Sequence, residues 1–279
     1  MNTNQSFSRS ALMKNNDTVI QRIKGYCRTL KLSTVEQCLD DELARALKEQ
    51  LPICSVLDAL LGAQARAILE RRIERRIKES RIPQRKLLAD FDFTFQPGID
   101  KAMIMELATL SFIQRGQGLI LAGASGTGKS HIAKALMLIA CQMDYRCRYT
   151  TAADMLKTLM AGLVDDTLEL KLKMYTSPQL LLIDEIGFDR LEQESARNAS
   201  LFFKVIDARY CKASTIVTTN IDFKALGDYL GDPVVTTAIV DRMVHHSVII
   251  SIEGPSYRVH ESKKINRKAK PVNKPASGS

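Results

Sequence analysis

The 279-residue chain has no tryptophan, no C-x-x-C pair and no long apolar run. Its six cysteines (Cys27, Cys38, Cys54, Cys141, Cys147 and Cys211) are scattered. That spacing argues against a zinc ribbon or a disulfide framework and favours reduced, packed thiols. The four histidines show no metal-ligand spacing. No apolar stretch reaches the ~18 residues of a membrane span. Residues 1–10 are polar and lack the apolar centre of a signal peptide. These absences predict a cytoplasmic protein with no membrane partner, and the sequence shows no internal repeat. Acid is also in deficit: 40 Lys/Arg face 31 Asp/Glu, a formal charge of +9. The surplus is concentrated. Residues 66–86 hold nine Lys/Arg against three Glu, and residues 258–274 hold seven against one. An acidic partner is expected, although charge alone does not name it.

What is present is organised around Gly123-Ala124-Ser125-Gly126-Thr127-Gly128-Lys129-Ser130, a G-x-x-x-x-G-K-S phosphate-binding loop. An apolar strand, Gly118–Ala122, precedes it, and a helix-forming run, His131–Ala140, follows. The glycines let the backbone aim N–H groups at phosphate oxygens, and the helix N-terminus adds partial positive charge. Lys129 is placed for the β- and γ-phosphates, and the Ser130 hydroxyl for Mg²⁺. ATP and Mg²⁺ are the expected ligands.

Residues 1–16 are polar and expected to be disordered. Residues 17–90 read as a helical N-terminal domain for DNA or partner binding, with a capping-box-like start at Ser33-Thr34-Val35-Glu36 and a break at Leu51-Pro52. Residues 101–114 read as one helix. Strands at 118–122, 146–150, 179–184, 214–219 and 247–252 alternate with helices at 129–143, 152–160, 166–175, 192–211 and 234–244. Buried strands between helices predict an α/β domain, over 91–258, with a parallel five-stranded sheet covered on both faces. Residues 259–279 read as a basic flexible tail.

Leu180-Leu181-Leu182-Ile183-Asp184-Glu185 carries two carboxylates to the end of a buried strand, the edge where ligands bind in open α/β sheets. Asp184 suits the Mg²⁺ shell, and Glu185 suits a base for the attacking water. Asn220, at the end of the 214–219 strand, either hydrogen-bonds that water or the γ-phosphate, or caps the following turn. Arg242 and Arg258 either neutralise charge on the transferred phosphoryl group or form surface salt bridges.

In this order, Lys129, Asp184-Glu185, Asn220, Arg242 and Arg258 resemble an AAA+ ATPase. More narrowly, the chain is similar to the IstB-like transposition helper ATPases, relatives of the DnaC helicase loaders and DnaA initiators. The narrower marks are Arg81-Ile82-Pro83, Phe91-Asp92-Phe93, Ile183-Asp184-Glu185-Ile186-Gly187, Asp241-Arg242-Met243-Val244-His245-His246 and Gly254-Pro255-Ser256-Tyr257-Arg258. The resemblance implies a sensor-1 role for Asn220, an arginine finger offered to a neighbouring subunit for Arg242, and a sensor-2 role for Arg258. It also makes the segment 152–175, with Lys157, Lys171 and Lys173, similar to an initiator-clade insertion that touches DNA.

The reading that follows is an ATP-hydrolysing helper of transposition. It would assemble on double-stranded DNA as a homo-oligomer with shared ATP sites and recruit or activate a cognate transposase. Arg71, Arg72, Arg75 and Arg76 are the further candidate DNA contacts, unless that basic helix face is merely solvated. A DnaC-like helicase loader is the alternative. A small-molecule kinase is disfavoured because a Glu beside the strand-end Asp serves hydrolysis. The loop itself makes the first prediction. Lys129→Ala should abolish ATP binding in fluorescence anisotropy, and wild-type affinity in that variant would put the phosphate site elsewhere.

Overall fold

A computed structural model describes the backbone of residues 4–187, 196–221 and 232–268. The chain divides into two compact units, residues 1–74 and 75–279.

The first unit contains α1 (Asn4–Thr29), α2 (Ser33–Glu49) and most of α3 (Ile53–Ser80). Its core gathers Cys27, Val35, Leu39 and Leu60, with Ile20, Ile23 and Val56 packed against them. The capping box expected at Ser33–Glu36 does not form. Leu32 precedes α2 and its side chain makes no capping bond. The first-turn N–H groups of Thr34 and Val35 instead donate to Gln64 Oε1, at 2.9 and 3.3 Å. Glu36 is drawn aside by Arg28, 2.7 Å away. An orphan donor takes whichever acceptor packing brings to it, here a buried amide 30 residues downstream.

Three other boundaries differ from the sequence reading. α1 starts at Asn4, ahead of residue 17, since nothing in residues 4–16 is Gly or Pro to break a helix. The division between units falls inside α3 rather than near residue 90. The last turn of α3 belongs to the second unit, where Arg76 pairs with Asp144 at 2.9 Å and Ile77 and Ser80 are buried. The expected 101–114 helix is two, α4 (Lys101–Leu107), capped by Asp100, and α5 (Ser111–Gln114). Leu110 between them has φ 63°. That turn lets Leu110, Phe112 and Ile113 all point inward, which an unbroken helix could not do.

The second unit is built on β1 (Gly118–Gly123), β2 (Cys147–Thr151), β3 (Leu180–Ile186), β4 (Ser214–Thr219) and β5 (Ser247–Ile252). All pair in parallel, in the order β2-β3-β4-β1-β5. The connecting helices are α6 (Lys129–Gln142), α7 (Ala152–Val164), α8 (Leu168–Thr176), α9 (Ala196–Arg209) and α10 (Pro233–His245), with α11 (Tyr257–Lys268) last. Alternate strand residues face opposite sides. Ile120, Leu181, Ile183 and Val217 join the core with α7, α9 and α10. Their neighbours Leu119, Leu121, Leu180, Leu182 and Ile216 are just as fully buried. Both faces are therefore covered, as the unbroken apolar runs predict. α11 makes helix of residues expected to be flexible. It is anchored where His260 stacks on Phe95, ring centres 4.7 Å apart. Residues 192–195 of one expected helix and 269–279 of the tail lie outside the described residues. No helix among those described is long and apolar enough to cross a membrane.

Arg209, at the end of α9 and 1% exposed, ties the sheet's amino edge to its helices. Its guanidinium donates to the carbonyls of Tyr175 (2.9 Å), Pro178 (2.7 Å) and Ser214 and to Thr215 Oγ1 (2.9 Å). These bonds satisfy the carbonyl end of α8. Arg209→Met should therefore strand several buried acceptors and cost about 3 kcal/mol or more, read as a lower urea midpoint. An unchanged midpoint would show that these carbonyls find other partners.

Candidate nucleotide site

The phosphate loop follows the carboxyl end of β1 and leads straight into α6, whose N-cap is Gly128 at φ 99°. Two neighbours press on the loop. A Cβ at Gly128 would lie 2.5 Å from the Phe91 ring, so only glycine admits Phe91 there. Gly126 likewise leaves no room for a side chain against Ser256, and its carbonyl accepts the Tyr257 N–H at 3.0 Å. Phe91 also meets His131 edge-on at 5.4 Å, and His131 reaches the Leu87 carbonyl at 2.8 Å. The lead-in 87–95 and the start of α11 thus embrace the loop.

A cleft of ≈510 Å³ opens here. Ser125 to Ser130, Glu185, Thr218 and Arg258 line it, as do Phe91, Gln96, Lys134 and Tyr257. Lys129 is 6% exposed and donates to the carbonyls of Gly123 and Ala124, both at 2.7 Å. Burial pulls its ammonium below the usual lysine range, the Asp184 charge opposes this, and the Arg258 charge adds to it.

Asp184 is completely buried. Its Oδ1 accepts from Ser130 Oγ at 2.7 Å and from Thr218 Oγ1. Its Oδ2 accepts from Tyr149 Oη at 3.1 Å and from Lys134 Nζ at 2.9 Å. Burial pushes the carboxyl up, but the Thr218 hydroxyl, the Lys134 charge and hydrogen bond and the Ser130 hydroxyl outweigh it, so the acid lies below the ordinary carboxylate range. Burial, and then the Asp184 charge, push the Tyr149 phenol up.

Glu185 stands next to it with φ 63°. The β3–β4 register slips between Ile183 and Ile186, so one extra residue of β3 is accommodated there. The Glu185 N–H donates to Thr218 Oγ1 at 2.9 Å, and its side chain is exposed in the cleft. A glutamate in a left-handed conformation is strained, and such strain clusters at functional sites.

The structure brings Lys129, Ser130, Glu185 and Arg258 to one cleft, with Asp184 buried behind it and bonded to Ser130. Asn220 is exposed just past β4, with its Oδ1 beside Gly187, and it does not line that cleft. Arg242 lies elsewhere. It borders a small cavity (≈40 Å³) with Gly116, Gly118, Thr215 and Ser247, at the amino ends of β1, β4 and β5. Its Nε donates to Asp207 at 2.7 Å, and its guanidinium covers the Phe203 ring at 4.7 Å. Among the candidate DNA contacts, Arg75, Arg76 and Lys171 have intramolecular carboxylate partners: Arg75 pairs with Glu79 at 3.9 Å, Arg76 with Asp144 at 2.9 Å and Lys171 with Asp165 at 2.6 Å. Arg71, Arg72, Arg75, Lys157 and Lys173 are exposed.

Sequence reasoning missed Thr218, Lys134 and Phe91 as parts of the cleft, and Tyr149 as a partner of Asp184. Thr218 and Thr219 did carry a signal, since adjacent threonines are unusual in an otherwise apolar buried strand. Tyr149 and Lys134 carried none.

The IstB-like ATP binding protein family model matches residues 26–265. An ATP-binding protein of insertion sequence IS21 from Pseudomonas aeruginosa is 38% identical over 235 residues, 84% of this chain and 88% of that one. Its counterpart in insertion sequence IS232 of Bacillus thuringiensis subsp. berliner is 35% identical over 86% of this chain and 95% of that one. Among solved structures, AMPPCP-bound DnaA from Aquifex aeolicus superposes with a TM-score of 0.50 at 19% identity. That match covers 68% of this chain but only 57% of DnaA, and is a likeness of fold alone.

Glu185→Gln removes a carboxylate but keeps the shape and the Thr218 bond. It should leave ATP binding intact and reduce turnover by at least ~10²-fold, followed as phosphate release. Unchanged turnover would show that another group activates the water.

Proposed function

Because the chain belongs to the IstB-like ATP-binding proteins of insertion sequences, an AAA+ fold, we infer that it is an ATP-hydrolysing helper of transposition. It assembles on double-stranded DNA through shared ATP sites and engages a cognate transposase. Lys129 and the loop amides bind the phosphates, Ser130 and Asp184 hold Mg²⁺, Glu185 activates water, and Arg258 contacts the nucleotide within its own chain. Mg²⁺ supplies charge neutralisation at the phosphates. The donor set fits a hard cation: a buried carboxylate and a hydroxyl, with an ammonium already against the carboxylate.

One observation carries the shared-site reading. Arg242 sits at the amino edge of the sheet, while the phosphate loop follows the carboxyl edge. The length of β1, about 17 Å at ~3.3 Å per residue, separates those edges. An arginine so placed is out of reach of its own phosphate loop and available to a neighbour's. Asp207 and the Phe203 ring orient it meanwhile.

The exposed basic residues Arg71, Arg72 and Arg75 of α3 suit a phosphate backbone, whose neutralisation makes binding fall steeply with salt. Subunit mixing on DNA tests the assembly. Arg242→Ala should bind ATP like wild type yet lose ATP-dependent binding to duplex DNA and at least ~10³-fold in hydrolysis. Mixing it with Glu185→Gln subunits should restore part of the hydrolysis at interfaces that pair an intact base with an intact finger. A mixture that forms oligomers on DNA by light scattering and stays inactive would refute the shared site.

A further inference from the structure

The coordination of Asp184 has a feature that phosphate binding does not require. An ionised carboxylate offers about four lone-pair positions. All four are taken: Ser130 and Thr218 on Oδ1, Tyr149 and Lys134 on Oδ2. Three of the donors are neutral hydroxyls and one is a cation. Lys134 lies on α6 at one and a half turns past Lys129, is 15% exposed at its side chain, and packs its ammonium 5.1 Å from the Tyr149 ring centre. It also lines the cleft. A divalent ion arriving with ATP, or a water of its shell, needs an acceptor position on Asp184, and it brings positive charge close to the ammonium. Of the four donors, Lys134 is the one whose charge opposes that arrival and whose long, flexible stem can withdraw.

We propose that Lys134 is an internal counter-ion that competes with the divalent cation for Asp184 and thereby sets how much free Mg²⁺ the chain needs to bind ATP. The inference rests on the assignment of Asp184 to the metal shell. It makes Lys134 a positioning residue rather than a member of the catalytic set. While the ammonium is in place, the buried carboxylate is fully satisfied and Asp184 is a poor metal acceptor. When Mg²⁺·ATP binds, the ammonium yields Oδ2 and the charge of the metal replaces it. ATP binding should thus need more free Mg²⁺ than the loop alone dictates.

The test compares wild type with Lys134→Gln, which keeps an N–H donor without the charge, and Lys134→Arg, which keeps the charge. Binding of a fluorescent ATP analogue is followed by anisotropy across a Mg²⁺ titration. In parallel, the thermal midpoint of each protein is measured with Mg²⁺ alone and without nucleotide. The free Mg²⁺ at half-saturation should fall by at least about tenfold in Lys134→Gln, a modest share of what one unit charge beside a divalent ion exerts, and stay within about twofold of wild type in Lys134→Arg. Mg²⁺ alone should raise the thermal midpoint of Lys134→Gln by more than that of wild type. An unchanged or higher Mg²⁺ requirement in Lys134→Gln, with no added Mg²⁺ stabilisation, overturns the proposal. If wild type bound no nucleotide at any Mg²⁺ concentration, the ATPase reading would fall, while the thermal midpoints would still decide the role of Lys134.

Discussion

A carboxylate removed from water must be given back as many partners as it lost, or it will not stay ionised. In this protein that constraint falls on Asp184. Meeting it takes a hydroxyl from the start of α6, a phenol from β2, a hydroxyl from β4 and an ammonium from farther along α6. The three elements that supply these donors, α6, β2 and β4, are thereby fixed to β3 at one point of the carboxyl edge of the sheet. The bulge in β3 follows from the same arrangement. Thr218 bonds both the Asp184 side chain and the Glu185 N–H. Glu185 is turned into a left-handed conformation while the strand resumes its pairing at Ile186. Two adjacent carboxylates thus come to have opposite environments, one sealed in by donors and one open to the cleft. The proposed roles, one carboxylate on the metal side and one activating water, require that difference.

What could be read in the sequence was what is local. The phosphate loop is contiguous, and its strand and helix flank it within a few residues. The strands β1 and β3 are short apolar runs, β4 is rich in β-branched residues, and the parallel pairing follows from helices lying between the strands. What could not be read depends on tertiary neighbours. Gln64 caps a helix 30 residues before it. Arg209 caps α8 from the end of α9. Lys134 looks like any polar residue on a helix and is in fact turned toward a buried acid. The break at Leu110 belongs here too, since helical periodicity runs straight through it and only the packing of Phe112 and Ile113 demands the turn. Among the basic residues, charge counting treated Arg76 and Arg75 as equals. Arg76 is 18% exposed at its side chain and paired with Asp144, whereas Arg75 is 64% exposed.

The contrast between Arg258 and Arg242 illustrates how one residue type is given two placements by its surroundings. Arg258 is the second residue of α11 and is carried to the cleft by the bond between Tyr257 and the loop. Arg242 is carried away from it, with an aspartate and an aromatic face to hold its plane. Those contacts keep a long side chain from sampling many rotamers, which lowers the entropy it would lose on meeting the neighbour's phosphate that the proposed shared site requires.

The bond from Tyr257 N–H to Gly126 O has a mechanical side. It joins the phosphate loop to the first residue of a twelve-residue helix. Such a helix is about 18 Å long and its far end carries the lysines of the basic segment. Any rocking of the loop is therefore geared up along α11. A tilt of about 5° at Gly126 displaces the lysine-bearing end by roughly 1.5 Å over that length. The carboxyl end of α11 is the tip of a pointer whose pivot is the phosphate loop.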